Sequence, residues 1–165
     1  MKTVKVYLAG AIFGKSDAEC KEWRKTVTDA LKAVGAEALD PLVRDYRGKE
    51  SENKETIVTT DLDDIFSSDI VFVKADVPSW GTAMELVYAS QMGKFICAWG
   101  VPSRISPWLE FHTTVQERTF ETALAKLIDL VKEEQTRPEE PQIPCDCPSC
   151  GCKAATDPEI KTINA

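Results

Sequence analysis

Residues 70–92 read IVFVKADVPSWGTAMELVYASQM, and this stretch decides the fold class. Its first four residues are apolar without polar alternation, which is typical of a strand covered on both faces in a parallel sheet. The turn at 78–81 leads into a predicted helix that reaches Met92, and Gly93 ends it. A buried strand followed directly by a helix is the building unit of a parallel α/β sheet.

The same alternation continues on both sides of this stretch. Ser16 and Glu19 form a capping box that predicts the start of a helix, and Gly35 predicts its end. The other predicted elements are strands at 4–8, 36–39 and 95–99 and helices at 56–67 and 120–131, with loops at 43–55 and 100–114. Four strands alternating with four helices predict a doubly wound parallel sheet of the Rossmann or flavodoxin-like kind. Such sheets bind ligands beyond the carboxyl ends of their strands.

The last part of the chain differs in composition from the rest. Of the 165 residues, those from 133 onward hold seven acidic and three basic residues, five of the nine prolines and four of the six cysteines. Because few of these side chains are large and apolar, their burial cannot offset the entropy cost of ordering the backbone. We therefore expect a single folded domain at 1–133 and an extended, flexible tail at 134–165.

The composition excludes several classes of protein. The formal net charge of −7 disfavours binding to a nucleic acid polymer, and no apolar run approaches the ~20 residues that cross a bilayer. Residues 6–13 faintly resemble a signal peptide, but Lys5 interrupts the apolar stretch and a buried first strand explains it better. We expect a cytoplasmic protein with no membrane partner, whose cysteines are thiols.

The tail contains the one candidate metal site. Four thiolates form a preferred tetrahedral shell for zinc, although structural zinc usually closes a longer loop between paired ligands. A redox-labile tail without metal is the alternative. The four residues are Cys145, Cys147, Cys150 and Cys152.

Two acidic residues are candidates for chemistry at the strand ends. Glu85 lies near the start of a helix among apolar neighbours, where a surface acid that merely interacts with the helix dipole is unusual. Asp61 belongs to an acidic helix face, and solvation alone can explain it. If the two carboxyl groups meet above the sheet, their environments can separate their pKa values and give them different roles.

Three further residues have both a structural and a functional interpretation. Ser79 either caps its helix or binds an anion together with the free backbone amides. Tyr7 lies on the first strand, where it is either a core residue or part of the site. His112 is the only histidine, so a catalytic triad or a multi-histidine metal site is excluded except around it. The P-loop and nucleophile-elbow motifs are absent, which disfavours phosphoryl transfer and serine hydrolysis.

At this point the sequence resembles the nucleoside 2-deoxyribosyltransferase superfamily, which includes the 2′-deoxynucleoside 5′-phosphate N-hydrolases. The resemblance spans residues 4–131 and depends on three motifs, VYLAG at 6–10, DLDDIFSSD at 61–69 and SWGTAMELVYA at 79–89. It implies cleavage of the N-glycosidic bond between a base and a (deoxy)ribose, without a cofactor and without a metal at the catalytic site. In this family the glutamate that matches Glu85 forms a covalent glycosyl-enzyme, which water (hydrolase) or a second base (transferase) resolves.

The resemblance also implies roles for the other motif residues. Asp61 matches the aspartate that holds the sugar and handles the proton of the departing base, and Tyr7 matches the tyrosine that orients the nucleophile. Ser79 stands where the nucleotide hydrolases have a serine that binds the 5′-phosphate and the transferases have an aspartate. The residues expected to contact substrate are therefore Gly10, Ser79, Gly81, Met84 and Ser106, the last contributed across a dimer interface.

Several alternatives stay open from the sequence. The arginine that many of the hydrolases carry at 11–14 is missing, and Arg44, Arg47 and Lys49 are candidates to replace it. The substrate is thus a nucleoside or its 5′-monophosphate, and hydrolysis is slightly favoured over transfer. A catalytically idle sensor that binds a nucleotide is the competing class. The resemblance suggests a homodimer or a higher homo-oligomer, with Trp99, Trp108 and Phe111 as candidate contacts.

Overall fold

The computed structural model describes residues 2–138 and contains five strands and five α-helices in this part of the chain. The chain order is β1 (Lys5–Gly10), α1 (Asp17–Ala33), β2 (Glu37–Leu39), a 3₁₀ helix (Pro41–Arg44), α2 (Glu50–Ser67), β3 (Ile70–Lys74), α3 (Trp80–Gln91), β4 (Phe95–Trp99), α4 (Pro107–His112), β5 (Val115–Glu117) and α5 (Phe120–Thr136). The predicted capping box of α1 is present: the Ser16 and Glu19 side chains each accept from the other's backbone N–H.

The five strands form one sheet in which all neighbouring pairs are parallel. Their order is β2-β1-β3-β4-β5, which confirms the predicted doubly wound, flavodoxin-like architecture. The chain moves outward in opposite directions from β1 and β3, so the switch point lies between these two strands. The sheet therefore predicts a ligand site above the carboxyl ends of β1 and β3.

Two hydrophobic clusters cover the two faces of the sheet. Alternate residues of β1 face opposite sides, as the two-residue period of a strand requires. Val6 and Leu8 pack in the cluster with α1 and α5, whereas Tyr7 and Ala9 pack in the cluster with α2 and α3. This alternation aims the Tyr7 side chain at the helices that carry the candidate carboxylates.

The predicted loops were partly wrong. Helix α2 begins at Glu50 instead of residue 56, and its first turns had been assigned to the 43–55 loop. These turns are polar because they face solvent, and Glu50 and Glu52 suit the positive end of the helix dipole. The predicted 100–114 loop contains the six-residue α4, and the three-residue strand β5 follows it.

Helix α2 has a narrow apolar side. Ile65 is fully buried, but Val58 and Phe66 are 56% and 72% exposed. Of the residues of α2, only Ile65 is buried, so this helix covers the sheet with a narrow stripe. Cys20 and Cys97 are buried in the core as expected.

Helix α5 is the last element of the described part of the chain. Helix α5 runs to Thr136, three residues past the boundary expected at residue 133. The four tail cysteines lie outside the described residues. Within residues 2–138, no cluster of three or more potential metal ligands is present, and no helix is both long and apolar enough to span a bilayer.

Candidate active site

The carboxyl group of Glu85 meets the hydroxyl group of Tyr7 above the sheet. Tyr7 lies on β1 and is fully buried, and its hydroxyl donates a hydrogen bond of 3.1 Å to Oε1 of Glu85. Glu85 lies in the second turn of α3, and the residue that follows it, Leu86, is buried in the core. Burial, followed by the negative charge of Glu85, raises the pKa of Tyr7 well above its ordinary value, so the phenol remains a donor. The contact fixes the carboxylate at the switch point of the sheet.

The pKa of Glu85 is raised to about 7. Burial is the largest cause, and the charge of Asp61 acts in the same direction. The hydrogen bond from Tyr7 and the charge of Arg24 both lower it. A carboxyl group that titrates near neutral pH in a cleft has the perturbation expected of a catalytic acid, base or nucleophile.

The second carboxyl group, that of Asp61, is held by an arginine. Nη2 of Arg44 donates to Oδ1 of Asp61 at 2.9 Å and to Oδ2 of Asp64 at 2.6 Å. Burial raises the pKa of Asp61, the ion pair with Arg44 lowers it, and Asp64 raises it. One arginine at the end of the 3₁₀ helix thus holds Asp61 of α2 at the cavity that Glu85 also lines.

A cavity of about 210 Å³ opens above these groups. The amino-terminal end of α3 forms one wall, where Ser79 takes the N-cap position but makes no side-chain capping bond. Its hydroxyl is therefore not used by its own helix, although capping was the simpler prediction from sequence. The cavity is lined by Gly10, Ile12, Phe13, Pro41, Leu42, Arg44, Asp45, Tyr46, Arg47, Glu50, Ile57, Asp61, Ser79, Gly81, Thr82 and Glu85.

The structure brings most of the predicted site residues together, and two lie elsewhere. Glu85, Asp61, Gly10, Ser79 and Gly81 line the cavity, and Tyr7 lies beneath Glu85. The two that do not line it are exposed side chains: Met84 on α3 and Ser106 at the N-cap of α4.

Two of the three residues that were candidates to replace the missing arginine are paired with acids. Arg44 binds Asp61 and Asp64, and Arg47 binds Asp45 and Asp17. Lys49 is exposed at the start of α2 and does not line the cavity. An anionic substrate would therefore compete with these acids for the two arginines.

Sequence reasoning missed one charged residue next to the site. Arg24 of α1 has a relative exposure of 1%, and its Nη2 donates to the carbonyl oxygen of Gly10 at 3.0 Å. A signal for it was present, because Arg24 is four residues from Cys20 and three from Val27 on the apolar side of the helix. A charged residue in that register is rarely buried without a specific partner.

The raised pKa of Glu85 predicts a pH-dependent effect of Glu85→Gln on stability. Since the folded pKa is about 7 and the ordinary value is 4.5, the folded state binds more protons between these limits, and stability falls as the pH rises through them. Glu85→Gln should therefore stabilise the protein more at pH 8 than at pH 4.5, with a difference of about 3 kcal/mol. Urea unfolding of both proteins at the two pH values measures this.

An exposed glutamate on α2 gives the control for this measurement. Glu55→Gln changes the same functional group on the surface, so its effect should differ little between pH 4.5 and pH 8. Equal effects of the two substitutions at both pH values would contradict the burial of an ionisable Glu85.

The chain is similar to known proteins in sequence and in fold. A family model described as nucleoside 2-deoxyribosyltransferase matches residues 6–137. Comparison with curated protein sequences gives no significant match.

Three solved structures resemble this fold. A 2-deoxyribosyltransferase from Bacillus psychrosaccharolyticus has a TM-score of 0.60 at 19% identity, with 73% of this chain and 90% of that chain covered. A conserved protein from Enterococcus faecalis V583 has a TM-score of 0.62 at 13% identity, with 81% and 99% covered. The CMP N-glycosidase BcmB from Clostridium botulinum has a TM-score of 0.53 at 25% identity, with 76% and 98% covered.

The fold and the family model together define a class of protein, an α/β enzyme that acts on the N-glycosidic bond. Because the family model covers most of the chain, the protein belongs to the nucleoside 2-deoxyribosyltransferase family. Its enzymatic type is that of the N-glycosidases and deoxyribosyltransferases, whose substrates are nucleosides or nucleotides.

Proposed function

We propose that the protein cleaves the N-glycosidic bond of nucleosides or their 5′-monophosphates through a covalent glycosyl-Glu85 intermediate. The observation that carries this proposal is the hydrogen bond from Tyr7 to Glu85 at the switch point of the sheet, beside a cavity that Glu85 and Asp61 both line. A carboxylate on the open side of an oxocarbenium-like transition state stabilises its positive charge and also serves as nucleophile. No cofactor is needed for this chemistry.

The chemistry proceeds in two balanced steps. A carboxylate oxygen of Glu85 bonds to C1′ of the sugar while the bond from C1′ to the base nitrogen breaks, and the departing base takes a proton from Asp61. Water then attacks C1′, the ester bond to Glu85 breaks, and Asp61 recovers a proton from that water. Tyr7 holds Glu85 in position throughout, since its hydroxyl is already bonded to Oε1.

Two features bear on the 5′-phosphate. The free hydroxyl of Ser79, with the backbone amides at the start of α3, supports a phosphate position. The acidic partners of Arg44 and Arg47 oppose it, because binding a dianion would require those ion pairs to open or to be shared. We propose that Ser79 and the start of α3, rather than the arginines, hold the 5′ end of the substrate.

The experiment incubates the purified protein with purine and pyrimidine nucleosides, ribo and 2′-deoxy, and with their 5′-monophosphates. Chromatography measures the free base released, and an excess of a second base is added in parallel. Free base with no new nucleoside supports hydrolysis, whereas appearance of the exchanged nucleoside favours the alternative, a transferase. Binding of these compounds without any base release would contradict the proposed function and favour a sensor.

We further propose a homodimer built through the outer faces of α3 and α4. Trp80, Met84 and Tyr88 recur every four residues on α3 and are exposed, and Trp108 and Phe111 of α4 are 74% and 81% exposed. Exposed apolar patches of this kind are typical of protein interfaces. Trp99, expected as a further contact, instead packs against Trp23 and Phe120 inside the α1–α5 face.

A charge placed on this face tests the proposed dimer. Because a glutamate at position 84 would leave two charges unpaired in a two-fold interface, Met84→Glu should convert the dimer to a monomer. Light scattering coupled to size exclusion measures the mass. Val43→Glu, at an exposed apolar residue on the 3₁₀ helix, is the control. A wild-type monomer, or a dimer that survives Met84→Glu, would contradict this assembly.

A further inference from the structure

The most unusual buried group of the molecule is the guanidinium of Arg24. Its side chain has 1% relative exposure and lies on the core side of α1 beside Trp23, with the guanidinium carbon 4.4 Å from that ring's centroid. Removing a charged guanidinium from water is costly unless fixed partners replace the lost hydration. The partners of Arg24 therefore indicate what its burial achieves.

These partners come from three different segments. Nη1 donates to the carbonyl oxygen of Cys20 in α1 at 2.9 Å, and Nη2 donates to that of Gly10 at the end of β1 at 3.0 Å. Nε lies 3.2 Å from Oδ1 of Asp40, directly after β2. The planar fork of one arginine thus ties α1 to the carboxyl ends of two neighbouring strands.

The end of β1 is fixed by this contact. Gly10 lines the cavity and begins the segment that continues to Phe13, which also lines it. The fit around Gly10 is close, because a Cβ atom there would lie 3.2 Å from both Trp23 and Lys74 side-chain atoms. The Gly10 carbonyl bound by Arg24 is therefore part of the cavity wall.

The 3₁₀ helix forms another part of the cavity wall, and Asp40 holds its start. Its side chain accepts from the backbone N–H of Leu42 at 2.9 Å and so begins the 3₁₀ helix. That helix ends at Arg44, the residue that holds Asp61. Arg24 therefore supports the segment that orients the second carboxyl group.

The charge of Arg24 also acts on Glu85. Glu85 faces Tyr7 from β1 and the negative charge of Asp61 from α2. The positive charge that lowers its pKa is that of Arg24. Arg44, the nearby cation of the 3₁₀ helix, is engaged by Asp61 and Asp64, so it compensates those acids first.

We propose that Arg24 is a positioning residue of this site, which holds two parts of the cavity wall through Gly10 and Asp40. This inference rests on the proposed function, because it assumes that Glu85 is the nucleophile of the site that Arg24 holds in place. Arg24 does not touch the reacting atoms. Its effect passes through the backbone of Gly10, the side chain of Asp40 and the electric field at Glu85.

The test compares Arg24→Met, Arg24→Lys and wild type over pH 5–9. The first readout is kcat/KM against pH for base release, and the second is NMR titration of ¹³C-labelled glutamate carboxyl groups, with Glu85 assigned from the Glu85→Gln spectrum. In Arg24→Met we expect the Glu85 titration, and the limb of the pH profile that follows it, to move up by about half a pH unit or more. Arg24→Lys keeps the charge, so its midpoint should stay near that of wild type while kcat/KM falls about tenfold through loss of the fork.

Two further variants keep the test decisive. Lys25→Met removes a positive charge from the exposed side of the same helix and should leave both midpoints unchanged. Arg24→Met combined with Asp40→Asn avoids an unpaired buried carboxylate, so it reports the effect on Glu85 if Arg24→Met alone does not fold.

The outcomes separate the two proposals. Loss of activity in Arg24→Met with no movement of either midpoint would overturn the role proposed for Arg24 and leave a purely structural one. Activity that survives in Glu85→Gln would instead overturn the proposed function, whatever the Arg24 variants do. Movement of both midpoints in Arg24→Met, with an inactive Glu85→Gln, supports both.

Discussion

Glu85→Gln is expected to abolish base release, lowering kcat/KM by at least about 10⁴-fold while leaving the protein folded. The amide has nearly the shape of the carboxyl group and can still accept the hydrogen bond that Tyr7 donates at 3.1 Å. It cannot form an ester with C1′, and it brings no negative charge to the oxocarbenium-like transition state. Chromatography of free base, with the substrate that wild type cleaves fastest, measures the loss.

A second measurement tests the covalent step directly. Wild type quenched with acid during turnover should carry a mass increase equal to one glycosyl group, on a peptide that contains Glu85, and Glu85→Gln should carry none. Glu55→Gln, the same change at an exposed position of α2, should keep full activity and the adduct. Activity of Glu85→Gln within tenfold of wild type would exclude Glu85 as nucleophile.

The two carboxyl groups are best described as one titrating pair. Burial raises the pKa of both, and the charge of Asp61 further raises that of Glu85. The proposed reaction needs one proton on the pair, because the nucleophile must be ionised and the departing base must receive a proton. Activity should therefore peak between the two macroscopic pKa values of the pair. Neither carboxyl group requires a metal ion to reach its reactive protonation state.

Much of the fold could be predicted because local signals and the sheet agree. The apolar run at 70–73, the capping box of Ser16 and Glu19, and the helix-ending Gly35 each depend on neighbours in sequence. Strand β5 reads VQE, and with one apolar residue in three it offers no strand pattern to detect. The first turns of α2 were missed because an exposed polar helix and a polar loop have the same composition.

The site could be predicted less completely, for a physical reason. Glu85 stood out by its apolar neighbours in sequence, and Asp61 only by its possible pairing with Glu85. Arg24 and Arg44 act through partners 14 and 17 residues away. Such contacts depend on where the ends of β1 and β2 meet α1 and α2, and a pattern of residue types does not specify this. Conversely, resemblance alone suggested Met84, and the structure places its side chain outside the cavity.

Asp61→Asn is expected to lower kcat/KM by about 10²–10³-fold for natural substrates, the range typical of losing a general acid. The asparagine keeps the shape of Asp61, and its carbonyl oxygen can still accept from Arg44, now bound at 2.9 Å. It cannot release a proton to a departing base. Asp63→Asn changes the same functional group two residues further along α2, at an exposed position. It is the matched control and should leave kcat/KM unchanged.

The substrate decides whether this loss comes from proton transfer. The base of a 7-methylguanine nucleoside leaves as a neutral molecule without being protonated. Asp61→Asn should therefore lower kcat/KM for this nucleoside about tenfold or less, against the larger loss for guanine nucleosides. The NMR titration of Glu85 should also move to lower pH, because the negative charge of Asp61 no longer raises the pKa of Glu85. An equal loss for the methylated and natural nucleosides would show that Asp61 only positions the sugar. In that case the proton on the leaving base would have to come from another donor, and Arg44 would serve to hold a binding residue rather than an acid.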